Sequence, residues 1–172
     1  MSSFHLSKKC KKEFRKNPYA TEMLNKVVYE MNMHLGIKQI ISVNVVHSLA
    51  SIDHPNSVGF NAMGRYESNG SQISICRHDG HGSGTLLATL AHECTHHKLY
   101  VDGINWLDQS DEETFTDLTA IYFGFGNILK KGYKISSKTS SNYYETFERT
   151  RALGYITPEA VKRGLKLLKK SM

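Results

Sequence analysis

The residues of this chain best suited to chemistry form the run His92-Glu93-Cys94-Thr95-His96. Apolar residues around the run recur at helical spacing, so the two histidines should lie one turn apart on the same helix face. Two imidazoles in that arrangement suit a zinc ion, and a carboxylate beside them can accept a proton from a water on the metal. The spacing therefore predicts His92 and His96 as zinc ligands and Glu93 as the general base.

A catalytic zinc site has three protein ligands and one position left for water, so a third ligand must come from another segment. Glu113 and Asp117 stand one helical turn apart in a second helical segment, which follows the first after a short loop. A glutamate early in that helix can reach the metal from the other side, and an aspartate one turn later can accept the second ring N–H of a ligand imidazole. We therefore expect Glu113 as the third ligand and Asp117 as the carboxylate that supports a ligand histidine.

With these residues the chain resembles the gluzincin metallopeptidases, whose thermolysin-like members carry H-E-x-x-H on one helix and E-x-x-x-D on the next. The likeness covers roughly residues 70–126 and rests on five matched positions, with a shorter interval between the two motifs than in the larger members. It implies a small zincin-like domain that binds Zn2+ and hydrolyses peptide bonds, with the residue roles given above. It also implies that the last strand before the metal helix, Ser71–Arg77, is an exposed sheet edge on which a peptide substrate pairs.

Asp102 is an alternative third ligand. It falls six residues after His96, where the metzincin peptidases place theirs. Those proteins also have a glycine at the position of Leu99, which lets the chain turn sharply, and a methionine turn downstream. Here Leu99 continues a helical pattern, and no methionine follows Met63 until Met172.

Two neighbours of Glu113 are further alternatives. Glu112 is about 100° around the helix from Glu113, so the two cannot face one ion together. Asp117 could itself bind the metal. Glu113 could instead close a capping box with Ser110 at the start of the helix, a role that requires no metal.

A tetrahedral intermediate would also need a hydrogen-bond donor for its oxyanion. Tyrosines and arginines that follow the second motif are the candidates: Tyr143, Tyr144, Arg149, Arg151 and Tyr155. His78 and His81, in the glycine-rich loop before the metal helix, could extend a metal site. His97 should face about 100° away from His96 and so not bind metal. Cys94 is expected in the core.

The elements that position these residues are expected to form an α+β fold with a small mixed sheet. Periodicity and capping signals predict helices over residues 18–36 and Thr85–Val101, a helix from Ser110 that Gly124 and Gly126 interrupt, and a basic helix after Thr157-Pro158. Runs of β-branched residues and the turn pair Asn69-Gly70 predict strands over Ile40–Val46, Val58–Tyr66 and Ser71–Arg77. The segment Ser136–Asn142 is polar and is expected to be a linker.

Composition narrows the class of protein. A chain of 172 residues favours one domain over residues 1–172, and 40% hydrophobic residues suffice for a core. Three scattered cysteines without C-x-x-C spacing favour a reducing compartment, and we expect the cytoplasm. The N-terminal residues lack the apolar core of a signal peptide, and no apolar run is long enough for a transmembrane helix.

The charge pattern supports a second hypothesis. The net charge is +6, and cations concentrate in Lys8–Lys16 and Lys162–Lys170. Such runs are usually solvated surfaces, but they also permit a nucleic-acid-associated or partner-docking module in which zinc is structural. The first hypothesis remains a zinc peptidase acting on a peptide or protein. Zinc-dependent hydrolysis of a non-peptide amide differs from it only in substrate.

Overall fold

The computed structural model describes residues 2–46, 64–67, 71–77, 82–104, 109–140, 146–152 and 156–171, with the backbone alone for 109–111, 134–140, 146–152 and 171. The helices are α1 (Lys8–Lys16), α2 (Thr21–His34), α3 (Ser83–Val101), α4 (Gln109–Ala120), α5 (Gly126–Gly132) and α6 (Pro158–Ser171). The strands are β1 (Ser42–Val46), β2 (Gly64–Glu67), β3 (Gln72–Cys76), β4 (Lys134–Ser140) and β5 (Thr146–Ala152). The predicted α+β class with a small mixed sheet is confirmed.

The N-terminal part contains one helix more than the sequence predicted. Helix α1 begins at the Ser7 cap, whose hydroxyl accepts a hydrogen bond from the N–H of Cys10 and donates one to Glu30 of α2. The predicted helix after Pro18 is α2, and it ends as expected before Gly36, which takes the left-handed conformation with φ of 72°.

The three-stranded sheet has the order β1-β3-β2, with β1 parallel and β2 antiparallel to β3. The expectation that Ser71–Arg77 forms the sheet edge is therefore wrong, because β1 pairs with its other side. Ile73, Ser74 and Ile75 are all buried, as suits a central strand. Among the described residues β2 is the edge strand next to α3; residues 58–63 of the longer predicted strand and the Asn69-Gly70 turn lie outside the described residues.

Helix α3 occupies the centre of the fold. It packs against α2, α4, α5 and β2, and its residues Leu86, Leu90 and Cys94 are fully buried in the hydrophobic core. The predicted helix over Thr85–Val101 is confirmed, starting two residues earlier, and Gly103 closes it with φ of 74°. Because α3 is held on several sides, the side chains along it have fixed positions relative to α4 and β2.

The close approach of α5 to α3 depends on Gly132. A Cβ at this position would overlap the Cβ of Ala88 and lie 2.5 Å from the carbonyl oxygen of Gly84. Gly132→Ala should therefore lower the free energy of unfolding by about 1–3 kcal/mol, since the two helices would have to separate. Urea unfolding would measure the loss. Gly84→Ala is the matched control: its Cβ would meet nothing within 4 Å, and the variant should be at least as stable as the parent.

The helix carrying Glu113 ends where the glycine pair predicted an interruption. A π-helical turn over Ile121–Phe125 separates α4 from α5, and Gly124 has φ of 94° inside it. The N-terminal segment packs against this turn, with the N–H of Phe4 donating to the carbonyl of Gly124 at 3.1 Å.

The C-terminal part corrects one prediction and confirms another. The segment Ser136–Asn142 is not a linker up to residue 140, because β4 pairs antiparallel with β5. A strand composed largely of Lys, Ser and Thr has no apolar face to distinguish it from a linker. Thr157 caps α6 as expected, its hydroxyl accepting from the N–H of Ala160 at 3.2 Å. In the described part of the chain, no helix combines the length and apolarity required to cross a bilayer.

Candidate metal centre

Helices α3 and α4 bring three metal-binding groups together. His92 and His96 lie one turn apart on α3, with their Nε2 atoms 3.0 Å from each other. From α4, Oε2 of Glu113 lies 2.9 Å from Nε2 of His92 and 3.2 Å from Nε2 of His96. One donor atom from each residue therefore points at a common position.

The donor set fits a zinc ion. Imidazole nitrogen and carboxylate oxygen are both zinc ligands, and atoms about 3 Å apart can be neighbours around an ion that they bind at about 2 Å. Two neutral imidazoles cannot approach through bare Nε2 lone pairs without a proton or a cation between them. The contact between His92 and His96 is thus one that a shared cation stabilises.

Asp117 fixes the orientation of His92. Its Oδ1 lies 2.8 Å from Nδ1 of His92, on the side of the ring opposite to Glu113. The carboxylate is fully buried and also accepts hydrogen bonds from the hydroxyl of Tyr133 and, at 3.2 Å, from the N–H of Ile156. An imidazole held through Nδ1 has its Nε2 in a defined direction, which is the supporting role expected for Asp117.

The alternative carboxylates have other contacts. Oε1 of Glu112 lies 3.5 Å from Nδ1 of His96, which is the nitrogen turned away from Glu113. Asp102 forms an ion pair with Lys98 at 2.6 Å at the end of α3. Helix α4 begins at Gln109, so Ser110 is already inside the helix rather than at the cap position of a capping box. Glu113 is therefore the carboxylate directed at both ligand histidines.

The electrostatics of the cluster follow from its hydrogen bonds. Burial disfavours a charged His92, but its hydrogen bonds to Asp117 and Glu113 outweigh that effect and raise its pKa to about 10. Burial would raise the pKa of Glu113, yet the two histidines lower it to about 2. Without metal, a proton on His92 thus takes the place of the cation.

Glu93 lies on α3 beside the edge strand β2. Its side chain is buried, and its carboxylate accepts a hydrogen bond from the backbone N–H of Tyr66. A Cβ at Gly64 would lie 2.9 Å from Oε1 of Glu93, so the strand backbone approaches the carboxylate closely. Burial raises the pKa of Glu93, and the charges of the histidines and the Tyr66 N–H only partly offset it.

Three supporting residues were not predicted from the sequence. Tyr133 and the N–H of Ile156 satisfy Asp117, and Tyr66 contacts α3 twice, through its N–H on Glu93 and through its hydroxyl, 2.8 Å from Nδ1 of His97. His97 is buried and burial lowers its pKa. It faces away from the cluster, as expected. Tyr133 directly follows a glycine at a helix end, but no sequence signal connects it with Asp117.

The remaining predicted residues divide into two groups. Cys94 is buried in the core, as expected. Of the candidates for oxyanion stabilisation, Arg149 and Arg151 lie on β5, where the backbone alone is described. The other oxyanion candidates lie outside the described residues, namely Tyr143, Tyr144 and Tyr155. The same is true of His78 and His81, which could extend a metal site.

The raised pKa of His92 leads to a prediction for metal binding. In the metal-free protein His92 keeps its second proton up to a pH of about 10, so at pH 8 zinc must displace that proton from Nε2. An unperturbed histidine, with a pKa of about 6.5, would already be neutral there. Zinc binding at pH 8 should therefore release about one proton, and calorimetry in buffers of different ionisation enthalpy measures it. Binding without proton release at pH 8 would contradict this charge state.

The predicted site residues thus lie together at one place in the fold. His92, His96 and Glu113 form the set of ionisable side chains that could hold a metal ion among the residues with described positions. Asp117 contacts the first of these ligands, and Glu93 is buried beside them. Comparisons of the chain with known protein families, with characterised proteins and with solved structures found no match.

Proposed function

We propose that this protein is a zinc-dependent peptidase. The single observation that supports it most is the convergence of three donor atoms, from His92, His96 and Glu113, beside the buried carboxylate of Glu93. A purely structural zinc site is usually closed by four protein ligands, commonly including cysteines. Among the residues that the structure describes, the cluster consists of three ligands without a cysteine, which suits a site with a position left for water.

Each residue of the site would have its own role in hydrolysis. Zinc, when bound by His92, His96 and Glu113, supplies Lewis-acid polarisation of the scissile carbonyl and lowers the pKa of a water. Glu93 accepts the proton of the attacking water and passes it to the leaving amine. Its raised pKa suits the first half of that transfer, because burial makes the carboxylate a stronger base. Asp117 keeps His92 in the tautomer that binds metal through Nε2.

The edge strand β2 is the proposed binding place for the substrate backbone. It pairs with β3 on one side, runs beside α3, and touches Glu93 through Gly64 and Tyr66. An extended peptide added to the free side of such a strand gains backbone hydrogen bonds with little demand on sequence. An edge strand beside the metal helix is also what a zincin-like fold requires, with β2 in the place first assigned to Ser71–Arg77.

We also propose a reducing compartment, the cytoplasm. Cys10, Cys76 and Cys94 are buried and form no disulfide. Burial raises the pKa of Cys10 to about 11 and raises that of Cys94 as well. Both thiols thus stay protonated and inert, as in proteins that do not rely on disulfides.

The test combines metal content with peptide cleavage. Protein reconstituted with zinc should bind about one ion per chain and degrade casein, and a chelator should remove both properties. His96→Ala should lose the ion and the cleavage, because two ligands rarely hold a catalytic zinc. His5→Ala, which removes an exposed histidine, is the matched control and should retain both. A parent protein that holds zinc but cleaves neither casein nor a peptide library would refute the peptidase.

A further inference from the structure

Helix α1 gathers six cations on one face. At 100° per residue they fall within an arc of about 160°. All six side chains are exposed: Lys8, Lys9, Lys11, Lys12, Arg15 and Lys16. The apolar residues Cys10 and Phe14 point the other way and are buried in the core. The cationic face is thus held in place by the packing of the helix on the rest of the fold.

At the start of α1 the arrangement of these charges opposes the stability of the helix. The first turn contains no acidic residue and holds Lys8 and Lys9, although the helix dipole favours negative charge there. Lys8, Lys12 and Lys16 repeat at intervals of four, which places like charges side by side. None of the six forms an ion pair with a described residue; Glu13 of α1 pairs instead with Lys26 of α2 at 2.8 Å. Arg15 and Lys16 in the last turn match the helix dipole, so the cations that folding does not explain are Lys8 and Lys9 of the first turn.

Helix α6 is also basic, but it differs from α1 in the first turn. It begins with Glu159 in the first turn and ends with Lys169 and Lys170 in the last turn. Both placements match the helix dipole and stabilise the helix. Helix α1 also has cations in its last turn, and the lysines of α6 repeat at intervals of four as well, at 162, 166 and 170. The difference between the two helices is therefore the first turn, where α6 has Glu159 and α1 has Lys8 and Lys9.

We propose that the cationic face of α1 binds the phosphate backbone of duplex nucleic acid without reading its sequence. Lys8, Lys12 and Lys16 rise about 6 Å from one to the next, which is close to the roughly 7 Å that two phosphate repeats of one strand span along the duplex axis. An anionic membrane is the less suitable polyanion, because a membrane-surface helix inserts its apolar face and that of α1 is buried in the core. This surface does not involve the metal cluster, so it is independent of the peptidase proposal.

The experiment compares two triple variants of the full chain by fluorescence anisotropy with a labelled duplex of arbitrary sequence. The parent should bind at 50 mM salt and lose affinity steeply toward 200 mM. Lys8→Gln/Lys12→Gln/Lys16→Gln should weaken binding at least tenfold and reduce the slope of log K against log salt by about 2.7. The matched control, Lys166→Gln/Lys169→Gln/Lys170→Gln on α6, removes the same charge from exposed positions and should retain most of the affinity and the slope.

Several results would overturn the proposal. The first is the absence of duplex binding by the parent at 50 mM salt. The second is an equal loss of duplex affinity in both triple variants, which would reflect net charge alone. The third is binding of the parent to phosphatidylserine vesicles but not to duplex. Thermal melting provides a second measurement, because removing like charges from α1 should leave the melting temperature unchanged or raise it. A marked fall would mean that these lysines serve the fold.

Discussion

Replacing Glu93 by glutamine should lower the rate of peptide hydrolysis by a factor of about 10²–10⁴ while the protein still binds zinc. Glutamine has nearly the shape of glutamate and can still accept the hydrogen bond from the Tyr66 N–H, so β2 should keep its place beside α3. It cannot accept a proton from water or carry one to the leaving amine. The effect should fall on kcat rather than on KM, since binding of the peptide backbone does not use this carboxylate.

Metal analysis and steady-state kinetics on the same preparation test this expectation. Glu22→Gln, an exposed substitution on α2 that removes the same charge, is the matched control and should retain full activity. A Glu93→Gln variant with unchanged kcat would exclude Glu93 as the general base, even if the protein were an active hydrolase. Loss of zinc in that variant would mean that Glu93 serves the metal cluster instead.

Replacing Asp117 by alanine should lower the free energy of unfolding by about 3–5 kcal/mol, a range typical of removing one partner from a buried charged network. The variant leaves Nδ1 of His92, the hydroxyl of Tyr133 and the N–H of Ile156 without the acceptor that they share. It also leaves a cavity where the fully buried carboxylate was. Zinc affinity should fall about 10–100-fold, because His92 loses the group that orients it.

Urea unfolding of the metal-free variant and zinc titration of the folded variant measure the two effects separately. Asp117→Asn should lose less stability, because an amide oxygen in the place of Oδ1 still accepts two of the three hydrogen bonds, those from His92 and Tyr133. Glu112→Gln is the control on the same helix; its carboxylate is partly exposed and makes only a 3.5 Å contact with His96, so it should change stability by less than about 1 kcal/mol. If Asp117→Ala also changed the free energy of unfolding by less than about 1 kcal/mol, the buried network would contribute little to stability.

Local periodicity was sufficient to predict the parts of the site that lie on helices. The spacing of His92, Glu93 and His96 fixes their relative directions once the segment is a helix, and the same holds for Glu113 and Asp117. That the two helices face each other was an inference from a short connecting loop. The contacts of His92 with Glu113 and Asp117 have the geometry that this inference requires.

Contacts between segments that are distant in the chain could not be predicted from the sequence. Nothing in Ser71–Arg77 indicates that β1 pairs with its other side, because a central strand of a mixed sheet and an edge strand can have the same alternation of polar and apolar residues. Tyr133 and Ile156 follow Asp117 by 16 and 39 residues, and no pattern connects them with it. Helix α1 was not predicted, because its most prominent sequence feature is its charge. The Ser7 cap that starts it is held by a hydrogen bond to Glu30 of the next helix, and the sequence does not indicate that contact.

The shortness of β2 has a consequence for how the protein would respond to heat. This four-residue strand bonds to β3 alone among the described strands, whereas α3 is packed on several sides. Segments with few tertiary contacts open locally at a lower free energy than the whole molecule unfolds. Since Glu93 receives a hydrogen bond from β2, detachment of that strand would disable the reaction while the imidazole ligands stayed in place on α3. Inactivation on warming should then begin below the melting temperature and reverse on cooling.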